Sequence, residues 1–226
     1  MKTRFPNRRV AGFTLAEMMI VITIIALLAA LTLQGYTYAM RSSKRRVTES
    51  TITAIQASLD RYFDKFGEYP EPATPNEEAE ILPGKSFNIA GARCLYQALR
   101  GDGFDAIKGG ENAGGENGAS DGNFQDEELP NVMFKDMPAG MWRVVQGSTY
   151  ILVDGFSQPF QYIKAPVASA TGGTGTGGGT GGGDGPVTIN TTYDLWSYAE
   201  DDRNTQATSE EARDNPNIAA KWIKNW

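Results

Sequence analysis

The chain has no histidine and one cysteine among its 226 residues. Without histidine it lacks the commonest general base and the commonest metal ligand near neutral pH. A lone cysteine, Cys94, excludes an intrachain disulfide and reads as a small buried apolar residue. No proline falls between Pro6 and Pro70, so nothing there forces a helix to break. Positive charge is not in excess: 21 Lys and Arg face 27 Asp and Glu, a net charge of −6. That balance argues against a nucleic-acid surface, which must neutralise phosphates. No nucleophile–base constellation occurs, and the one Gly-rich run lacks the lysine and the strand–helix setting of a phosphate-binding loop. An enzyme is not expected.

What the sequence does have is one long apolar run, residues 13–33, after a basic leader. The leader carries Lys2, Arg4, Arg8 and Arg9 and no acid, so it stays on the cytoplasmic side. Removing these four bases from the 21 leaves 17 against 27 acids, a net charge of −10. An ordinary secretory signal places its apolar core before the cleavage site. Here the apolar run lies after Gly12, and a cut there leaves it on the mature chain. The run is long enough to span a bilayer at 1.5 Å per residue. Glu17 is the exception within it, since a carboxylate costs roughly 2.5 kcal/mol or more near the bilayer centre. Such a residue asks for a partner. Just beyond the run come Arg41, Lys44, Arg45 and Arg46, read either as a solvated helix face or as a contact for lipid headgroups or acids of neighbouring subunits.

The helical pattern continues past the run. Ile52, Ile55, Leu59, Tyr62, Phe63 and Phe66 recur at helical spacing, with polar residues mostly on the other faces. Gly67 supplies a C-cap and Pro70 a stop. The expectation is one helix over 13–66, with an apolar first part (13–34) and an amphipathic continuation (35–66) that forms the spine of a globular head, 67–226. Gly35 is a point where this helix can loosen.

Within the head, residues 67–90 carry four prolines and no periodicity, and read as an ordered loop. Cys94, Leu95, Ala98 and Leu99 form one face of a short helix ended by Gly101 and Gly103. Residues 109–128 form a long acidic loop. Its Asp121, Asn123, Gln125, Asp126 and Glu128 offer oxygens to Ca²⁺, but without EF-hand spacing a solvated loop is preferred. Strands are expected at 141–145 and 149–153 around the turn Gln146-Gly147-Ser148, and at 159–163 and 193–198. The Gly-rich insertion 171–185 lies between the last two and reads as the extended tip of a hairpin.

The string Gly12-Phe13-Thr14-Leu15-Ala16-Glu17 resembles the processing site of type IV prepilins and pseudopilins. The resemblance implies cleavage between Gly12 and Phe13 by a prepilin peptidase and methylation of the new N-terminus. It also implies an α+β pilin fold, with a long N-terminal helix packed on a small antiparallel sheet. Helices of many copies then form the core of a helical homopolymer, and Glu17 pairs with the Phe13 ammonium of a neighbour. Many members have a proline about twenty residues into the mature helix; Gln34-Gly35 stands there instead.

Three further stretches are similar to the major pseudopilin of type II secretion systems. They are Asp154-Gly155-Phe156-Ser157-Gln158-Pro159-Phe160-Gln161-Tyr162, Tyr193-Asp194-Leu195-Trp196-Ser197-Tyr198, and the Trp-ended tail from Asn215 to Trp226. That likeness implies a single-pass protein of the bacterial inner membrane with a periplasmic head. Its implied partners are the lipid bilayer, an inner-membrane assembly platform and minor pseudopilins. A true pilus subunit, displayed at the cell surface, is the alternative within the family; a membrane-anchored binding module is the alternative outside it. The same likeness points to Ca²⁺ in the last loop, with Asp201 and Asp202 nearest the family's ligand region. The other reading of that loop is a solvated acidic turn. Residues 203–213 look like an insertion.

Overall fold

The computed structural model describes residues 12–110, 118–122, 129–166 and 187–226. The leader up to residue 11, positions 111–117 and 123–128 of the acidic loop, and the Gly-rich insertion lie outside these residues. The chain divides into two compact units, Met1–Ser42 and Ser43–Trp226.

Helix α1 runs Leu15–Phe66 without interruption, through Gly35. In the first unit, its large apolar side chains from Leu15 to Met40 are all exposed, and an 18-residue window reaches a mean hydropathy of 2.4. Length and composition make this a candidate membrane span. In the second unit the helix buries a single stripe, Thr48, Thr51, Ile52, Ile55, Ser58, Leu59 and Tyr62. These positions recur every three or four residues, as one helix face requires. Phe63 departs from the expected stripe. It follows Tyr62 by one residue, about 100° around the helix, and is 43% exposed, stacked on Tyr69 with ring centroids 4.9 Å apart. Gly67 ends the helix as expected, at φ +78°, its N–H donating to the Phe63 carbonyl at 2.7 Å.

The expected loop over 67–90 is corrected by the structure. It contains the hairpin β1 (Glu78–Leu82) and β2 (Lys85–Asn88), paired antiparallel. Pro83-Gly84 makes the turn, with Gly84 at φ +72°. Ala79, Ile81 and Phe87 alternate into the core, a period-two pattern that the prolines before them obscured. Helix α2 (Ala90–Arg100) follows, and Gly101 in the left-handed region caps it. Strands β3 (Trp142–Val145) and β4 (Thr149–Leu152) pair around the predicted turn.

Strand β5 (Gln161–Lys164) begins two residues later than expected, because Pro159 has no N–H to give a ladder and forms only an isolated bridge with Val153. Strand β6 (Tyr193–Ser197) lies between β5 and the short β7 (Ile223–Lys224) in a three-stranded antiparallel sheet. Since β5 and β6 are antiparallel neighbours, the Gly-rich insertion falls in the connection of a hairpin. Among the described residues the strands form three small antiparallel sheets where one was expected; the α+β class and the long N-terminal helix stand. The stretch 203–213 is not simply loop: it includes helix α3 (Ser209–Asp214).

Two apolar clusters fill the head. One joins the α1 stripe to Cys94, Leu95, Leu99, Leu152 and Leu195. The other gathers Phe87, Ile151, Trp196, Tyr198 and Trp222. Alternation along β6 sends Leu195 to the first cluster and Trp196 to the second, which explains why all five of its residues are buried. Cys94 is fully buried, and burial pushes its thiol far above the usual range, so it packs and does not react.

Candidate functional site

The N-terminal segment begins with open backbone. A Cβ on Gly12 would meet nothing within 4 Å, so no packing among the described residues demands glycine there. Phe13 is 81% exposed. Thr14 then caps α1. Its hydroxyl accepts from the Glu17 N–H at 3.2 Å. The Glu17 carboxylate reaches back, accepting from the Thr14 N–H at 2.8 Å and the Thr14 hydroxyl at 2.9 Å through Oε2. This is a capping box, in which the side chains at the cap and three residues later satisfy each other's backbone donors. The sequence reading placed Glu17 but missed this intramolecular partner. The Thr14-Leu15-Ala16-Glu17 spacing was the available signal. The negative charge also sits at the helix end where the macrodipole favours it. Phe13 and Glu17 are therefore four residues apart at one exposed helix start, with the carboxylate already engaged by its own chain.

A second polar centre occupies the head. The Asp154 carboxylate is 3% exposed. Its Oδ1 accepts from the Phe156 and Gln158 N–H groups, both at 2.8 Å, and its Oδ2 accepts from the Ser197 hydroxyl. Burial pushes its pKa up to about 6, against the opposing pull of those hydrogen bonds and of Lys44. The turn that Asp154 organises docks on α1. The Gly155 N–H donates to the Thr48 hydroxyl at 3.0 Å, and a Cβ on Gly155 would come within 2.5 Å of the Lys44 carbonyl oxygen. Only glycine fits that approach. From Ser197 the chain turns through Ala199, at φ +52°, into the C-terminal loop. Arg45 ties this loop to α1, pairing with Glu200 at 2.7 Å and donating to the Lys221 carbonyl at 2.9 Å.

Asp201 and Asp202 part company in this loop. Asp201 is buried and Asp202 exposed. Oδ1 of Asp201 accepts from the Arg203 N–H at 3.0 Å, and Oδ2 from the Asn204 amide at 2.8 Å. Burial acts to raise the Asp201 pKa, but the Asn204 side chain and the Arg203 and Asn204 N–H groups outweigh it and hold the carboxyl below its ordinary value. The donors around Asp201 are N–H groups, which a cation would have to displace. The carboxylate geometry is that of a closed turn. Among the described residues no group of three or more His, Cys, Asp or Glu side chains is placed to hold a metal ion. Asp194, the strand acid, is also committed, accepting from the Ile189 and Asn190 N–H groups.

Residues 7–33 match the prokaryotic N-terminal methylation motif, a match that contains Gly12, Phe13 and Glu17. Comparison with curated proteins and with solved structures finds no match. The motif supports a type IV pilin-like protein, a kind that is in general structural, and α1 is a candidate membrane span among the described residues. Such chains are in general processed by a prepilin peptidase and assemble into filaments.

Proposed function

We propose that the chain is a subunit of a type II secretion pseudopilus, cut between Gly12 and Phe13 and assembled through α1 into a helical homopolymer. The observation that carries this is the methylation motif at the head of an exposed apolar helix. The narrower assignment draws support from the Asp154-to-Tyr162 element, whose turn docks on α1 through Gly155 and Thr48. In the filament, Glu17 exchanges its own Thr14 for the Phe13 ammonium of a neighbouring copy. Pairing there offsets the desolvation of both charges. The minor pseudopilins, the assembly platform and a periplasmic head belong to the same proposal.

The test begins with mass spectrometry of the native protein, which should find methylated Phe13 as the first residue. Assembly is then scored from sheared filaments and from secretion in a deletion strain. Glu17→Gln preserves the capping box, where Gln serves as well as Glu, but removes the charge. We expect Glu17→Gln and Glu17→Ala to be processed and to assemble poorly, while Thr14→Ala assembles. The reverse pattern, with Glu17→Gln normal and Thr14→Ala defective, makes Glu17 a helix cap only. Pili formed with secretion unaffected would move the chain to a true pilus.

Calcium at Asp201 and Asp202 is a separate proposal. Carbonyls of the loop would have to join the two carboxylates to reach the six to eight oxygens that Ca²⁺ takes, and binding would release the Asn204 amide from Asp201. A ligand bound only by the native state raises the melting temperature by mass action. Absence of heat on calorimetric titration with millimolar Ca²⁺ rejects it.

A further inference from the structure

α1 has no acid between Glu17 and Glu49, yet four bases fall there within six residues: Arg41, Lys44, Arg45 and Arg46. The fold treats them differently. Arg45 is neutralised by Glu200. Its second bond, to the Lys221 carbonyl, brings Lys221 beside the same stretch of helix. Lys44 lies over the Phe156 ring at 5.6 Å, leaving its positive charge unneutralised by any ion pair among the described residues. Arg46 and Lys221 are exposed, and neither side chain has an acid partner among the described residues. The second unit therefore gathers three bases without an ion-pair partner among the described residues, Lys44 also acting on the buried Asp154 carboxyl, in a chain that is acidic as a whole.

The sequence before them indicates what they face. The apolar run ends at Leu33, and Tyr36 and Tyr38 follow, both exposed. Tyrosines in this position sit at the headgroup level of a bilayer. Lys44 follows Tyr38 by only six residues in the sequence. We propose that Lys44, Arg46 and Lys221 form a docking surface for anionic phospholipid headgroups at the leaflet where α1 leaves the bilayer. The surface offsets the repulsion that an acidic head meets at an anionic membrane. The proposal rests on the reading of α1 as a membrane span, not on the kind of filament.

The full chain is reconstituted at low protein density into vesicles of phosphatidylcholine, or of phosphatidylcholine with about one third phosphatidylglycerol. A membrane-impermeant amine reagent is added, and labelling is read residue by residue by mass spectrometry. Lys108, on the head and 64% exposed, is the internal standard. Lys44 and Lys221 should label about fivefold more slowly, relative to Lys108, on the anionic vesicles. The protection should vanish in 1 M salt. Arg46→Gln, which removes a side chain without an acid partner, should weaken the protection of both lysines. Equal labelling on the two vesicles overturns the proposal. So does protection that follows protein density and not lipid charge, which would assign the surface to acids of a second copy. Extraction by alkaline carbonate checks the membrane span separately, and a chain released by it fails that premise and not the electrostatics.

Discussion

Leu27 and Leu59 stand on the same helix, the first 63% exposed and the second wholly buried. Around Leu27 every large apolar neighbour is also exposed, and no face of the helix is polar enough to meet water. Around Leu59 one face is apolar, and the head covers it. Helix geometry is common to both, so the difference is one of solvent. The second stretch is stabilised by the core of its own chain; the first requires lipid or other copies. The largest effect we expect separates them. Leu59→Ala should cost about 3 kcal/mol of unfolding free energy, within the range for a leucine deleted from a packed core. Leu27→Ala should leave the denaturation midpoint of detergent-solubilised monomer within error and appear only in filament yield. A large monomer destabilisation by Leu27→Ala would break the comparison, since it would give the first stretch a partner inside the chain.

A second contrast sets the two centres of acid chemistry apart. Glu17 is exposed and held by its own helix start; Asp154 is buried and joins three segments. Because the folded pKa of Asp154 is raised to about 6, protonation favours the folded state. Its stabilising contribution is full below the unfolded value near 4 and is lost as pH rises through 6. A shift of this size corresponds to on the order of 3 kcal/mol. The difference in stability between wild type and Asp154→Asn should therefore change between pH 4 and pH 7 and be flat above. A carboxyl signal for Asp154 titrating near pH 4 would remove the basis for this prediction.

The halves of α1 were also unequally legible. The apolar run and the stripe through Ile52, Ile55, Leu59 and Tyr62 follow from periodicity, because each depends on neighbours within a turn or two; Glu17 stood out as a charge in an apolar run, and Gly12 and Phe13 were named through the resemblance to prepilins. Phe63 was misplaced because it lies at the edge of the stripe, about 100° beyond Tyr62, where it stacks on Tyr69 and stays exposed. The β1–β2 hairpin was hidden by prolines counted for the whole segment, although Ala79, Ile81 and Phe87 alternate as strand residues do. Strand β7 has only two residues, and its pairing depends on β6 across a long separation in sequence, so no local pattern marks it. Asp154 was quoted within a motif, but its role as a buried hub depends on Ser197 and on Thr48 beneath its turn, which no spacing brings together. The division of Asp201 from Asp202 likewise arises from burial, which two adjacent acids do not announce.

The smallest effect compares two copies of one local device. Thr208 and Glu211 form a capping box at the start of α3, as Thr14 and Glu17 do at the start of α1. In α3 the box belongs to a short helix whose Ser209 and Ala212 are buried in the head, so its strength is coupled to global unfolding. Thr208→Ala should lower stability by about 1 kcal/mol, and Glu211→Gln by only a few tenths, since Gln keeps the reciprocal bond. In α1 the box begins a long helix whose first unit lies outside the head's core, and fraying there is local. Thr14→Ala should thus leave the urea midpoint of the monomer unchanged, while amide exchange of the first turn quickens by about fivefold, the same 1 kcal/mol read locally. If Thr14→Ala shifts the global midpoint as far as Thr208→Ala does, the start of α1 is coupled to the head, and the two parts of the helix unfold as one.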